Sequence, residues 1–177
     1  MQERAEPPSR SILVIPASID QQPILANLFE LYIHDFSEWI PVELGPDGRF
    51  GYRNLPDYWG QPDHHPFLIT VDDQLAGFTL VKKTRSLTNI PAMGEQETWD
   101  MAEFFVVRAH RKRGVGKTAA HQIWRQLPGS WQVRVMHSNS AALIFWQRAI
   151  DDYSGHSVEP VSIEREGKTW AVFKFQS

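Results

Sequence analysis

The chain has no cysteine among its 177 residues, which removes disulfide frameworks, thiolate metal centres and cysteine nucleophiles together. No apolar run approaches the roughly 18 residues needed to cross a bilayer. The first ten residues are polar, without the apolar core of a signal peptide. Neither a membrane partner nor secretion is therefore expected, and a cytoplasmic location is. Nor is there an excess of positive charge. Lys and Arg number 18 against 21 Asp and Glu, a formal net charge of −3, which argues against a nucleic-acid partner. Internal repeats and low-complexity segments are absent, and no metal site is assigned. With 42% hydrophobic and 22% charged residues, the chain fits one globular domain over residues 11–177, behind a disordered lead-in at 1–10 that contains Pro7 and Pro8.

Hydrophobic periodicity predicts the elements in order. Ser11 to Ile15 reads as a short strand stopped by Pro16. Ser18 or Asp20 can cap a helix carrying Ile24, Leu25, Leu28, Phe29, Leu31 and Tyr32, and a second short helix is expected to follow and to end near Gly45. The Gly- and Pro-rich run from Gly45 to Pro66 reads as a long connection of the kind that often carries function. Phe67 to Val71 and Leu75 to Val81 form a hairpin, with Gly77 as a bulge or close-approach point. A polar connection, Lys82 to Glu97, leads to the strand Thr98 to Val107, and an Ala-rich helix then runs to about Leu127. Trp131 to Met136 is a strand. Ser138 or Ser140 caps a helix to about Ile150, and two strands, about Ser157 to Ile163 and Lys168 to Phe175, close the chain.

The most informative stretch is Thr98 to Lys117, an apolar strand that ends in a basic, glycine-punctuated turn and then a helix N-terminus. Two phosphate-loop patterns fail on single residues. Gly114-Val115-Gly116-Lys117-Thr118 resembles the end of a nucleotide-triphosphate loop, but position 111 is Arg where that loop needs Gly. The dinucleotide pattern meets Ala at 119, and no β-α-β partner with an acidic ribose ligand follows. What fits is R-x-x-G-x-G, as Arg111-Lys112-Arg113-Gly114-Val115-Gly116. It resembles the acyl-CoA loop of the GNAT superfamily of N-acetyltransferases, best over residues 98–150, with Asn139-x-x-Ala142 following one strand later.

The resemblance implies an α/β (α+β) fold, with a mixed, mostly antiparallel sheet of about seven strands, about four helices and a splay between the fourth and fifth strands. It implies acetyl-CoA as cofactor. The backbone of Phe105, Val106 and Val107 would pair with pantetheine, and the backbone amides of Arg111, Lys112, Arg113, Gly114, Val115, Gly116 and Lys117 would hold the pyrophosphate. Asn139 would help hold the cofactor. Trp146 stands where many members carry a tyrosine acid, and its indole N–H cannot take that role, so it is expected to pack against the cofactor.

Acetyl transfer to an amine needs a base, because alkyl ammonium groups titrate near pH ~10, and it needs a donor for the developing oxyanion. Val106 or Val107 N–H is the natural donor. Asp100 and Glu103 are the candidate bases. A regular strand puts them on opposite faces, so only one can face the acceptor unless a bulge intervenes, and Glu103 is preferred as abutting the cofactor strand. His34, Asp35 and Glu38 are alternatives acting through water. Tyr153 is the candidate substitute acid, unless no side-chain acid is used. Tyr32, His34, Trp39, Phe50, Tyr52, Tyr58 and Trp59, with Asp35, Glu38 and Glu43, offer an aromatic and acidic wall for a cationic acceptor, a small-molecule or protein amine. A homodimer is left open. The competing reading is a non-catalytic acyl-CoA-binding module.

Overall fold

In a computed structural model, the protein is described over residues 10–86 and 97–177. Residues 1–9 of the expected lead-in at 1–10, and residues 87–96 of the polar connection Lys82 to Glu97, lie outside the described residues. Strands β1 (Ile12–Pro16), β2 (His64–Val71), β3 (Gln74–Arg85), β4 (Glu97–Val106), β5 (Ser130–Met136), β6 (Val161–Arg165) and β7 (Lys168–Gln176) form one seven-stranded sheet in the order β1-β2-β3-β4-β5-β7-β6. Helices α1 (Gln22–Phe36), α2 (Asp57–Gly60), α3 (Val115–Gln126) and α4 (Ser140–Ser154) pack on it. Among the described residues no helix is long and apolar enough to cross a membrane.

Every strand pair is antiparallel except β4–β5, which is parallel and matched only at Trp99–Trp131 and Asp100–Gln132. Past those residues β4 keeps its ladder with β3, and β5 keeps its ladder with β7 from Ser130 to Met136. Each strand is held from its far side, so the gap opens between them, and the inner edge of β4 keeps main-chain groups that no neighbouring strand pairs.

Two bulges re-aim side chains. In β3 the register steps from Ile69–Gly77 to Thr70–Leu75, leaving Ala76 as the extra residue. The adjacent Gly77 lies so close to β4 that a Cβ there would sit 2.0 Å from the Phe105 carbonyl oxygen. Bulge and close approach thus meet at the expected glycine. In β4 the register steps from Leu80–Glu103 to Val81–Met101, leaving Ala102 extra.

Two cores lie on opposite faces of the sheet. One, under α3 and α4, centres on Ile123, Trp124, Trp131 and Phe173, with Met101, Val106 and Trp146. The other, under α1 and α2, holds Leu25, Phe29, Tyr58, Phe78, Leu80 and Phe105. The expected second helix before Gly45 does not form. α1 runs on to Phe36, and the chain then turns through Ser37–Trp39, because Pro41 pushes Ile40 away from helical geometry. The long connection is instead pinned to α1. Glu30 accepts hydrogen bonds from Phe50 N–H (2.8 Å) and Gly51 N–H (3.1 Å), and Tyr52 stacks on Phe29 at 4.3 Å. Asn139, rather than Ser138 or Ser140, caps α4, its Oδ1 accepting from Ala142 N–H at 3.0 Å.

Candidate active site

The site lies where β4 leaves β5, on the face covered by α1. The bulge at Ala102 cancels the alternation that would separate Asp100 from Glu103, so both carboxylates face the same side as Phe105. Their surroundings divide their roles. Asp100, 2% exposed, is held in a two-pronged ion pair by Arg134 of β5, with Nε–Oδ1 at 3.2 Å and Nη2–Oδ2 at 2.8 Å. This pair bridges the two strands at the point where their pairing ends. Glu103 has no such partner among the described residues. It accepts from the Tyr32 hydroxyl at 2.6 Å and from the Tyr52 hydroxyl at 3.3 Å, each through a different carboxylate oxygen.

Burial pushes the Glu103 carboxyl above the ordinary glutamate range, and the Asp100 charge acts in the same direction. The tyrosine hydrogen bonds and the Arg134 charge pull the other way without cancelling it. Tyr32 and Tyr52 are themselves pushed up, by burial first and then by Glu103, so both remain protonated donors. Tyr58, 3% exposed, buries its hydroxyl beside that of Tyr52. Trp59 spends its indole N–H on the Ala17 carbonyl at 2.8 Å and so fastens α2 to the chain after β1.

The expected loop forms as a helix start. Gly114 is the N-cap of α3 with φ +81°, a left-handed conformation suited to a residue without Cβ, and no side chain caps the helix. The first main-chain bond of α3 runs from Thr118 N–H to the Gly114 carbonyl at 3.0 Å, so the N–H groups of Val115, Gly116 and Lys117 point out of the helix end. Gly116 fits tightly: a Cβ there would lie 3.1 Å from the Phe145 ring. Lys112 and Arg113 are exposed, and Lys117 pairs with Asp152 of α4 at 2.8 Å. Arg111 reaches the other way. It donates to the Val106 carbonyl (2.6 Å) and, with Arg108, grips Asp35 at the end of α1 (2.6 Å each). Burial alone would raise the Asp35 carboxyl, but the two guanidinium groups outweigh it and hold it below its usual range. Asp35 is therefore an anchor for the loop, while His34 beside it is exposed.

Four further expected positions have these surroundings. Val107 N–H is committed to the Ala76 carbonyl at 2.8 Å, so of the two proposed oxyanion donors only Val106 faces the open edge of β4. Tyr153 packs edge-on against Trp124 (5.0 Å) and His121 (5.1 Å) in the core on the opposite face of the sheet from Glu103. Trp146 is 7% exposed and sits edge-on to Phe104 at 5.0 Å, which makes it part of the packing under the inner edge of β4. Asn139 has one amide atom occupied by the α4 cap. The sequence alone does not single out Arg134, and it marks Tyr52 only as one aromatic of the acceptor wall. A lone charge amid the buried residues of Trp131 to Met136 was the available sign for Arg134, whereas Tyr52 lies in a loop without periodicity.

A mostly antiparallel sheet that splays at its one parallel pair, with a basic glycine loop opening a helix beside the splay, defines an acyltransferase fold. The chain belongs to the Acetyltransferase (GNAT) family, whose family model matches residues 25–150. Among solved structures it is similar to Arabidopsis thaliana NAA60 in complex with acetyl-CoA, at 14% identity over 94% of this chain and 98% of that one, TM-score 0.62. It is also similar to an acetyltransferase from Thermus thermophilus, at 18% identity over 94% and 97% of the two chains, TM-score 0.65. No curated protein matches.

Proposed function

We propose that the protein transfers an acetyl group from acetyl-CoA to a primary amine, with Glu103 as general base. The observation that carries this is the half-buried, doubly hydrogen-bonded Glu103 carboxylate on the β4 face beside the splay, on a chain of the acetyltransferase family. The glycine-capped start of α3 suits the CoA pyrophosphate, since it combines uncapped N–H groups with the adjacent Lys112 and Arg113. Acetyl-CoA supplies the activated acyl group when bound. Glu103 takes the proton that an ammonium must lose before its lone pair can attack, and its upward shift narrows the gap to the amine. Val106 N–H, on the open edge, is the main-chain donor for an oxygen that gains negative charge. Asp100, bound to Arg134, positions β5 against β4 and does not act as base. No side-chain acid is invoked, and Tyr153 is given no role in the reaction.

The test is Glu103→Gln, which keeps the side-chain shape and its place beside Tyr32. Amine-dependent release of CoA thiol from acetyl-CoA is expected to fall about 10²–10⁴-fold, with CoA affinity unchanged. An unaltered rate would remove Glu103 from the mechanism. CoA binding without turnover on any amine would leave a non-catalytic binding module in place of an enzyme.

A further inference from the structure

The α1 face of the sheet carries more than the Glu103 end. Along β5, Met136 lies two residues beyond Arg134 on the same face, a step of about 7 Å. It forms one wall of a cavity of about 230 Å3 completed by Trp39, His137, Ser138, Lys168 and Thr169. A run of packed rings leads from Glu103 to the Trp39 wall of this cavity. Tyr32, which donates to Glu103, packs on Phe36 at 5.5 Å, and Phe36 packs on Trp39 at 5.9 Å.

The two ends carry opposite charge. At one end stand Glu103 and Asp100 with a single cation, Arg134, already bound by Asp100. At the other, Lys168 is the one charged residue lining the cavity, half-buried and without an ion pair among the described residues. No carboxylate lines that cavity among the described residues. The nearby Glu164 side chain, on β6, accepts the Thr169 hydroxyl at 2.6 Å, and the His137 ring is oriented by a 3.2 Å contact with the Ser162 hydroxyl. Between the ends, Met136 and Trp39 offer apolar surface to a carbon chain.

We infer that the acceptor is an amphoteric small molecule, with its primary amine at Glu103 and a carboxylate on Lys168, bridged by an aliphatic spacer along Met136 and Trp39. One unpaired cation matches a single negative charge. The inference rests on the acetyltransferase reading of the Glu103 end, and the test separates the two. CoA-loaded protein is titrated with two product analogues that differ only in charge, ε-acetamidocaproate and N-hexylacetamide, while the Trp39 indole and His137 ring signals are followed by NMR. The anionic analogue is expected to bind about two- to fivefold tighter. Lys168→Met should abolish that preference and Lys168→Arg should keep it, with KM for ε-aminocaproate rising and kcat unchanged in the methionine variant. Equal affinities, or a preference that survives Lys168→Met, overturn the inference. A Lys168-dependent preference with no amine acetylated supports the anion subsite and overturns the transferase reading alone.

Discussion

Glu103 gains its chemistry from its neighbours, and removing them one at a time should move its titration in opposite directions. Tyr32 donates at 2.6 Å to the charged form of the carboxylate and so lowers its pKa against the effect of burial. Tyr32→Phe should therefore move the acid limb of the kcat/KM profile to higher pH, with the alkaline side unchanged. A pH series on a single amine measures it, and an unmoved limb would mean that another group titrates. The candidate bases were legible in the sequence because the chemistry restricts the choice to carboxylates on the strand facing the thioester. The choice between them was not. It depends on one extra residue, Ala102, which nothing in the alternation of β4 announces, and on Arg134, whose partner lies 34 positions away.

At the scale of elements, the Asp100–Arg134 pair acts as the latch at the closed end of the splay. Asp100 is nearly inaccessible and Arg134 is a quarter exposed, so breaking the pair strands a charge in a poorly solvated place. Asp100→Asn should cost about 2–4 kcal/mol in chemical denaturation, the lower part of that range reflecting the solvent that reaches Arg134. It should also lower the acid limb for Glu103, because an opposing carboxylate is gone while the guanidinium stays. Loss of stability with no shift in the limb would assign the latch to architecture alone. Most elements could be read ahead of the structure, since the alternation in β5 and the helical spacing in α1 and α4 are strong local signals. The helix expected before Gly45 failed because Pro41 interrupts it, and α2 was missed because four residues inside a Gly- and Pro-rich run carry no period.

Across the whole molecule, the two faces of the sheet separate two tasks that meet at the splay. The core under α3 and α4 supports the glycine loop and the inner edge of β4, while the core under α1 and α2 builds the Glu103 end. Arg111 joins them, since it bonds both the Val106 carbonyl at the edge and Asp35 at the end of α1. A ligand that orders the loop should then stabilise both halves of a single cooperative unit. At a hundredfold excess over Kd, acetyl-CoA adds about 2.7 kcal/mol to the folded state. For a domain of this size, about 2–4 °C per kcal/mol gives a rise in Tm of about 5–11 °C. Gly114→Val should remove most of that rise, because its positive φ is closed to a β-branched residue and the N–H groups at the start of α3 would be re-aimed. A thermal melt with and without acetyl-CoA measures both quantities. A full rise retained in the glycine variant would place the cofactor's phosphates away from the start of α3.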